Sequence, residues 1–223
     1  MEIEKNSVSS ARQIKDDDLV RIVNNGGKIN VLFVGNSITR HAPKEEIGWM
    51  DDWGMAAASE EADYVHVTVK GMEKVYGKVN YATACCGDWE REYWNDENLS
   101  RWKEAKDFKP DILVIRIGEN IWGIRDKLEE TPLYPHYDAM INYFKAPNTK
   151  KVLVSDLFWS WETIDEPMKA VCKDRGYTQV TIGDIGAKDE NKALGQFWHS
   201  GVAIHPNDLG MKRIAERILE KLL

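Results

Sequence analysis

The sequence of 223 residues is poor in cysteine, in long apolar runs and in targeting signals. Its three cysteines form neither a disulfide framework nor a metal-ligand spacing, so we expect reduced thiols with a minor structural role. No stretch approaches the roughly 18 apolar residues that span a bilayer, and the first residues lack the apolar segment of a signal peptide. As it stands the sequence predicts a cytoplasmic protein, or a secreted one if a signal peptide has been removed.

Positive charge is also in short supply. Lys and Arg number 30 against 37 Asp and Glu, which gives a formal charge of −7. Such a balance repels nucleic-acid phosphates and anionic lipids, so we expect no nucleic-acid partner and no membrane partner. It also favours a neutral substrate. With 16 Gly, 7 Pro and 43% hydrophobic residues, the chain is neither disordered nor fibrous, and one globular domain is expected.

Short apolar runs bounded by turn residues predict buried strands. They cover residues 30–34, 79–84, 111–117, 151–156 and 179–182. Segments with helical periodicity lie between and after them, at residues 53–76, 99–108, 137–144, 163–175 and 207–223. The first of these segments is compatible with one helix or with two. This alternation predicts an α/β fold with a roughly five-stranded parallel sheet and helices on both faces. Residues 1–27, with a weak helical pattern at 16–23, are expected to form an N-terminal arm or short helix ahead of the main domain at 28–223.

Polar residues follow the predicted strands at the sheet edge where ligands bind in such folds. Ser37 follows the first strand, Gly87 the second and Asn120 the third, and His205 precedes the last helix. A serine nucleophile needs a base such as His205, and Gly87 and Asn120 can offer N–H donors to a developing oxyanion. Taken singly, Ser37 is typical of a helix N-cap, Gly87 and Asn120 of turns, and His205 of a surface loop. Together they predict acyl transfer.

The same four positions resemble the SGNH hydrolases, a large branch of the GDSL esterases and lipases. Gly35-Asn36-Ser37-Ile38-Thr39 is similar to the first block of that family, with Asn where Asp is commoner. Gly87 matches the second block, Ile117-Gly118-Glu119-Asn120 the third, and the segment from His205 to Met211 the last. The resemblance spans residues 31–211. It implies a three-layer α/β/α flavodoxin-like fold, an acyl-serine intermediate and an oxyanion hole formed by Ser37, Gly87 and Asn120, with no metal or cofactor.

One departure from that pattern concerns the acid of a catalytic triad. The family carries an Asp three residues before the His, and this sequence has Val202 there. Three substitutes stay open: a backbone carbonyl that accepts the His205 ring N–H, a carboxylate such as Asp184 or Asp208, or no third member. We favour a Ser37–His205 dyad supported by a carbonyl, and we expect Asp208 to complement the dipole of the last helix.

Tryptophan is unusually abundant, with 9 Trp against 5 Phe. All but Trp102 lie in connections expected at the catalytic edge, and about half, notably Trp49 and Trp53, should only pack loops onto the sheet. The tryptophans predicted to bind substrate are Trp89, Trp122, Trp159, Trp161 and Trp198. Aromatic faces beside polar groups suit sugar rings, whose hydroxyls would bond to Asp88, Glu90 and Arg125. The expected substrate is therefore a small-molecule or glycan ester, preferably a carbohydrate that carries a short acyl group such as acetyl.

Other functions remain open at this stage. A general arylesterase or thioesterase would use the same four residues. A non-catalytic glycan-binding module would explain the missing Asp, although it leaves Ser37, Gly87, Asn120 and His205 without a reason. A nucleotide- or flavin-binding domain is disfavoured because the sequence lacks both glycine-rich phosphate-binding fingerprints.

Overall fold

A computed structural model describes residues 19–223 of the chain. Within that range the sheet has six strands in the order β1-β3-β2-β4-β5-β6. The strands are β1 (Val20–Val23), β2 (Ile29–Gly35), β3 (Val79–Cys85), β4 (Ile112–Arg116), β5 (Lys151–Ser155) and β6 (Thr178–Val180). All adjacent pairs are parallel except β1 with β3. The α/β class is confirmed, and the sheet has one strand more than predicted.

Alternate side chains of the central strands enter two separate hydrophobic cores, one on each face of the sheet. In β2, Leu32 and Val34 belong to one core and Val31 and Phe33 to the other. All four side chains are fully buried. Burial on both faces explains why these strands appear in the sequence as continuous apolar runs rather than as alternating ones.

Helices cover both faces and complete the three layers. They are α1 (Tyr64–Tyr76), α2 (Gly87–Arg91), α3 (Lys103–Asp107), α4 (Leu133–Phe144), α5 (Glu162–Arg175), α6 (Gly183–Gly186), α7 (Ser200–Ala203) and α8 (Asp208–Leu222). Buried residues of α1 and α8 pack on one face, and those of α4 and α5 on the other. The helix predicted at 53–76 is shorter, because Asp63 caps α1 by accepting a hydrogen bond from the backbone N–H of His66, at 2.9 Å.

The helical pattern predicted at 16–23 is wrong where the structure describes it. Residues Val20–Val23 form β1, which pairs antiparallel with β3 from Val20 opposite Ala84 to Val23 opposite Tyr81. Pairing satisfies backbone groups along the edge of β3, and this tertiary gain outweighs a weak local helical preference. The remainder of that segment, residues 16–18, lies outside the described residues, as does most of the predicted arm at 1–27.

The order of the strands determines where a site can form. From β2 the chain crosses to β3 on one side, and the later strand β4 lies on the other side of β2. This reversal leaves a crevice beyond the carboxyl ends of the three strands, which is the usual ligand position in open parallel sheets. The residues that follow β2, β3 and β4 therefore meet there.

Candidate active site

The turn that carries Ser37 begins as β2 ends. The backbone N–H of Thr39 donates to the carbonyl of Asn36 at 2.8 Å, which closes the turn directly after the strand. A side chain at Gly35 would collide with Thr39 Oγ1 and would lie 2.7 Å from the carbonyl oxygen of Arg116 in β4. Only glycine permits this approach. The result is a serine held at the sheet edge, where it lines a cavity of about 740 Å³.

Ser37 and His205 are in hydrogen-bond contact, although 168 positions separate them. Ser37 Oγ lies 2.8 Å from Nε2 of His205. The other ring nitrogen, Nδ1, lies 2.7 Å from the carbonyl oxygen of Gly201. Because a carbonyl can only accept, Nδ1 carries the proton and Nε2 is the free acceptor that faces the serine hydroxyl. The imidazole is thus in the tautomer that a general base for Ser37 requires.

The two carboxylates considered as triad acids are engaged elsewhere. Asp184 accepts from Arg217 at 2.9 Å on the surface. Asp208 accepts from the backbone N–H of Ala58 at 2.8 Å, and it lies in the first turn of α8. Of the three alternatives left open by the sequence, the structure contains the carbonyl contact.

The environment of His205 disfavours its charged form. Burial lowers the pKa of His205 to about 3, while the bond to the Gly201 carbonyl acts in the opposite direction. The positive charge of Arg116, and that of His41 when it is protonated, lower this pKa further. His205 is therefore neutral, and able to accept a proton, throughout the neutral pH range.

Gly87 and Asn120 border the same open space beside Ser37. Gly87 is the first residue of α2, where backbone N–H groups have no partner within the helix. Asn120 is the second residue of a 3-10 helix at Glu119–Lys127, directly after β4. A Cβ placed on Gly87 would lie 3.8 Å from Asn120 Nδ2. Both residues line the cavity together with Ser37 and His205, so all four residues singled out in the sequence converge.

A buried network that the sequence reasoning did not identify lies beneath these donors. Glu90 is fully buried and accepts from the backbone N–H of Gly118 at 2.7 Å and of Asn120 at 3.1 Å. It also accepts from Nδ2 of Asn120 and, at 3.0 Å, from Nδ2 of Asn36. One carboxylate therefore joins the segments that follow β2 and β4 to helix α2.

A second carboxylate, Glu119, completes the network. It accepts from both terminal nitrogens of Arg116, at 2.8 and 2.9 Å, and from Asn36 at 2.7 Å. Burial and the neighbouring Glu119 raise the pKa of Glu90. The sequence signal that points to this network is Arg116, a cation inside an apolar strand, because a buried charge needs partners.

The three polar residues predicted to bind sugar hydroxyls differ in their location relative to the cavity. Glu90 is fully buried and bonded to protein groups, so its prediction as a hydroxyl partner is wrong. Asp88 does line the cavity, and its carboxylate lies 2.9 Å from Arg101. Arg125 is exposed, with its guanidinium 5.3 Å from the centre of the Trp122 ring.

The tryptophans do not form the expected aromatic wall. Among residues 19–223, none of them lines the cavity. Trp89 is fully buried and packs against Tyr93 and Tyr137, because α2 directs it into the core, so its prediction as a stacking surface is wrong. Trp49 is buried as well.

The other four predicted tryptophans also lie outside the cavity wall, and two of them contact residues that line it. Trp122 and Trp161 contact each other edge to face at 4.8 Å. Trp159 contacts the ring of His205 edge to face at 5.1 Å, and it therefore helps to hold the imidazole. Trp198 is 75% exposed and packs edge to face on His199, a cavity residue.

The described residues, 19–223, contain neither a metal-ligand cluster nor a membrane-spanning helix. Within this range no group of three or more His, Cys, Asp or Glu side chains has the arrangement of a metal site. No helix of the same range has the length and apolar character needed to cross a membrane.

Comparisons with known proteins bear on the fold. The sequence matches no family model, and no curated protein matches it significantly. Among solved structures, it is similar to an alpha/beta hydrolase enzyme from the metagenome of Lake Arreo, with 17% identity, coverage of 87% of this chain and 94% of the other, and a TM-score of 0.54. A protein described as a GDSL-like lipase from Parabacteroides merdae shows 17% identity, coverage of 87% and 95%, and a TM-score of 0.53. Another from Bacteroides ovatus shows 15% identity, coverage of 87% and 97%, and a TM-score of 0.53. The chain therefore has the fold of the GDSL-like hydrolases.

Proposed function

We propose that this protein is a serine esterase that hydrolyses short-chain acyl esters through an acyl-serine intermediate. The observation that carries the proposal is the 2.8 Å contact between Ser37 Oγ and His205 Nε2, with Nδ1 of the same ring held by the Gly201 carbonyl. A nucleophile and a base in hydrogen-bond contact, with the base oriented by a third group, are the arrangement that nucleophilic acyl transfer needs.

In the acylation step, Nε2 of His205 takes the hydroxyl proton while Ser37 Oγ bonds to the ester carbonyl carbon. The carbonyl oxygen becomes an oxyanion, which the backbone N–H groups of Ser37 and Gly87 and the amide of Asn120 stabilise. The tetrahedral intermediate then collapses. The bond from carbon to the alcohol oxygen breaks, and His205 returns its proton to the departing alcohol.

In the deacylation step, water takes the place of the alcohol. His205 accepts a proton from that water as its oxygen attacks the acyl carbon, and the same three N–H donors hold the second oxyanion. Collapse breaks the bond to Ser37 Oγ, which regains its proton from His205. The free acid is released and the starting state is restored.

As substrate class we propose O-acetyl groups on carbohydrates. The cavity wall carries many polar side chains, among them Lys44, Glu46, Asp88 and His199, which can bond to the hydroxyls of a sugar alcohol. The same wall includes the apolar residues Ala42, Pro43, Ile47 and Met55, which can contact the acyl group. This support comes from the cavity wall, not from tryptophan stacking.

Hydrolysis assays test the proposal. We would compare p-nitrophenyl acetate, butyrate and octanoate with acetylated monosaccharides and acetylated xylan, using wild-type protein, Ser37→Ala and the matched surface variant Ser100→Ala. Wild type and Ser100→Ala should hydrolyse the acetate esters faster than the butyrate and octanoate esters, and Ser37→Ala should be inactive on all of them. Wild-type rates in Ser37→Ala would contradict the proposal, whereas no hydrolysis by the wild-type protein would favour a non-catalytic binding module. Turnover of aryl esters alone would favour a general arylesterase.

A further inference from the structure

Arg91 lies at the end of α2 with its guanidinium against the residues proposed to hold the oxyanion. Its Nη1 donates to the carbonyl oxygen of Gly87 at 2.8 Å, and its Nη2 lies 3.5 Å from Oδ1 of Asn120. A Cβ built on Gly87 would lie 3.7 Å from Nη1 and 3.8 Å from Asn120 Nδ2. The guanidinium and the amide thus flank the same open face of Gly87, within the cavity wall.

The two neighbours of Asn120 determine which way its side-chain amide faces. Its Oδ1 faces the donor Arg91, and its Nδ2 donates to Oε2 of Glu90. An amide turned by half a rotation would bring its NH₂ against the guanidinium and its oxygen against the carboxylate, and both contacts would be repulsive. Because Glu90 occupies one hydrogen of Nδ2, the second is the one available to an oxyanion.

Two carboxylates lie behind the Asn120 amide, so an oxyanion in front of it needs a cation nearby to offset their repulsion. The side chains of Glu90 and Glu119 are both buried in the network below, and Arg116 is the guanidinium bonded within it. An oxyanion that forms opposite Asn120 has the carboxyl group of Glu90 directly behind the donor. Arg91 supplies positive charge on the other side of the same amide.

Of the charged residues around the cavity, Arg91 has the most direct contact with Gly87 and Asn120. Asp88 lies 4.0 Å from Arg91 and 2.9 Å from Arg101, so its carboxylate is nearer to the other arginine. Lys44 and His41 line the same cavity. Among these groups, Arg91 is the one bonded to Gly87 and adjacent to Asn120.

We infer that Arg91 is a positioning residue for the oxyanion site. It holds Gly87 and the Asn120 amide in place, and its positive charge makes the space beside them favourable for an oxyanion. This inference rests on the proposed esterase function. Arg91 acts through the two donors and does not contact the substrate. Its contribution should therefore be larger in the transition state than in the ground state.

The experiment compares wild type with Arg91→Gln and Arg91→Lys. The control is Arg175→Gln, which removes an exposed arginine that pairs with Asp138 and does not line the cavity. For each we would measure kcat and KM with p-nitrophenyl acetate, the inhibition constant of phenylboronic acid, and thermal unfolding. Phenylboronic acid is neutral in solution. When its boron bonds to Ser37 Oγ, the hydroxyl proton passes to His205 and the boron becomes a tetrahedral anion, which resembles the intermediate.

In Arg91→Gln we expect kcat to fall about tenfold to a hundredfold with KM changed less than about threefold. The inhibition constant of phenylboronic acid should rise by about the same factor as kcat/KM falls. Arg91→Lys, which keeps the charge but not the planar fork, should show a smaller loss of kcat, and Arg175→Gln should match wild type.

Three results would overturn the inference. They are an unchanged kcat in Arg91→Gln, a rise in KM alone, or an unchanged boronate inhibition constant alongside reduced turnover. If Arg91→Gln does not unfold cooperatively, Arg91→Lys decides by the same comparison of boronate inhibition with kcat/KM. Should Ser37→Ala retain wild-type turnover, the esterase proposal itself fails, whereas an inactive Ser37→Ala with a fully active Arg91→Gln refutes only the role of Arg91.

Discussion

His205 Nδ1 donates to the carbonyl oxygen of Gly201 over 2.7 Å, at the position where a triad would have a carboxylate. A carbonyl orients the ring and selects its tautomer as a carboxylate does. It does not bring a negative charge to stabilise the imidazolium that the proposed mechanism forms when Ser37 is deprotonated. Orientation is thus retained while electrostatic support on the imidazole side is weaker, and in the proposed mechanism more of the stabilisation comes from the oxyanion side.

The pH dependence should reflect this difference. Burial lowers the pKa of His205 to about 3, so the neutral, proton-accepting form persists well below the ordinary histidine value of about 6.5. We predict that kcat/KM for a neutral ester stays level from pH 8 to about pH 5, with its acid limb at lower pH. Steady-state rates across this range give the profile.

A fold control belongs with that profile. The pKa of His205 is lower in the folded than in the unfolded chain, so the unfolded chain binds the proton first as the pH falls below about 6.5. Stability from this group is fully present above that pH and declines toward pH 3. Circular dichroism at each pH separates this loss from protonation of the base. An inflection of kcat/KM near pH 6.5 in a fully folded protein would contradict the account.

Removal of the two other candidate acids should have little effect. Asp184 bonds to Arg217, and Asp208 bonds to the backbone of Ala58, so neither orients His205. We expect kcat/KM of Asp184→Asn and of Asp208→Asn to stay within about threefold of wild type. Loss of an orienting acid from a triad costs about 10⁴-fold in kcat. A loss approaching that size in either variant would identify the missing acid.

Gly87→Ala tests the space proposed for the oxyanion. The added methyl group would stand 3.7 Å from Arg91 and 3.8 Å from Asn120, which are ordinary contacts, so the variant should fold. It would also occupy the open face between the donors. We predict a loss of about 10²-fold in kcat with nearly unchanged thermal stability.

The matched control for Gly87→Ala is Gly123→Ala. Gly123 lies in the 3-10 helix after β4, and a Cβ there meets nothing within 4 Å. The Gly123→Ala variant should retain the kcat and KM of the wild type. Full activity in Gly87→Ala would show that the oxyanion lies elsewhere.

Glu90→Gln tests the network below the donors. The amide oxygen of glutamine can take the place of Oε1, but its NH₂ group would then face Nδ2 of Asn120, donor against donor. An unsatisfied buried donor costs about 1–3 kcal/mol, so the melting temperature should drop and kcat should fall as Asn120 turns away. Differential scanning calorimetry and steady-state kinetics measure the two effects. Wild-type values of both would mean that Glu90 does not hold Asn120.

The sequence predicts the central strands because their side chains are buried on both faces. Leu32 and Phe33 enter opposite cores, and such strands are visible as apolar runs. It fails for β1, a four-residue edge strand whose formation depends on a partner far along the chain. The convergence of Ser37, Gly87, Asn120 and His205 could be predicted because each follows or precedes a core element whose end lies at one edge.

The direction in which each side chain of a loop or short helix points could not be predicted from the sequence. Trp89 and Glu90 both follow Gly87, so both were expected at the site, yet α2 turns them into the protein interior. Arg91, one residue later, faces the cavity. A loop can be assigned to an edge from its order in the chain, whereas the face that each of its residues presents depends on the packing around it.

The central claim is that Ser37 is a nucleophile activated by His205, and intact-protein mass spectrometry after incubation with a fluorophosphonate tests it most directly. Serine attack on phosphorus expels fluoride and leaves a stable covalent adduct. The account predicts one adduct on wild type, located at Ser37 by peptide mapping, with none on Ser37→Ala and much slower labelling of His205→Ala. Absence of an adduct on folded wild-type protein, or equal labelling of Ser37→Ala, would contradict it.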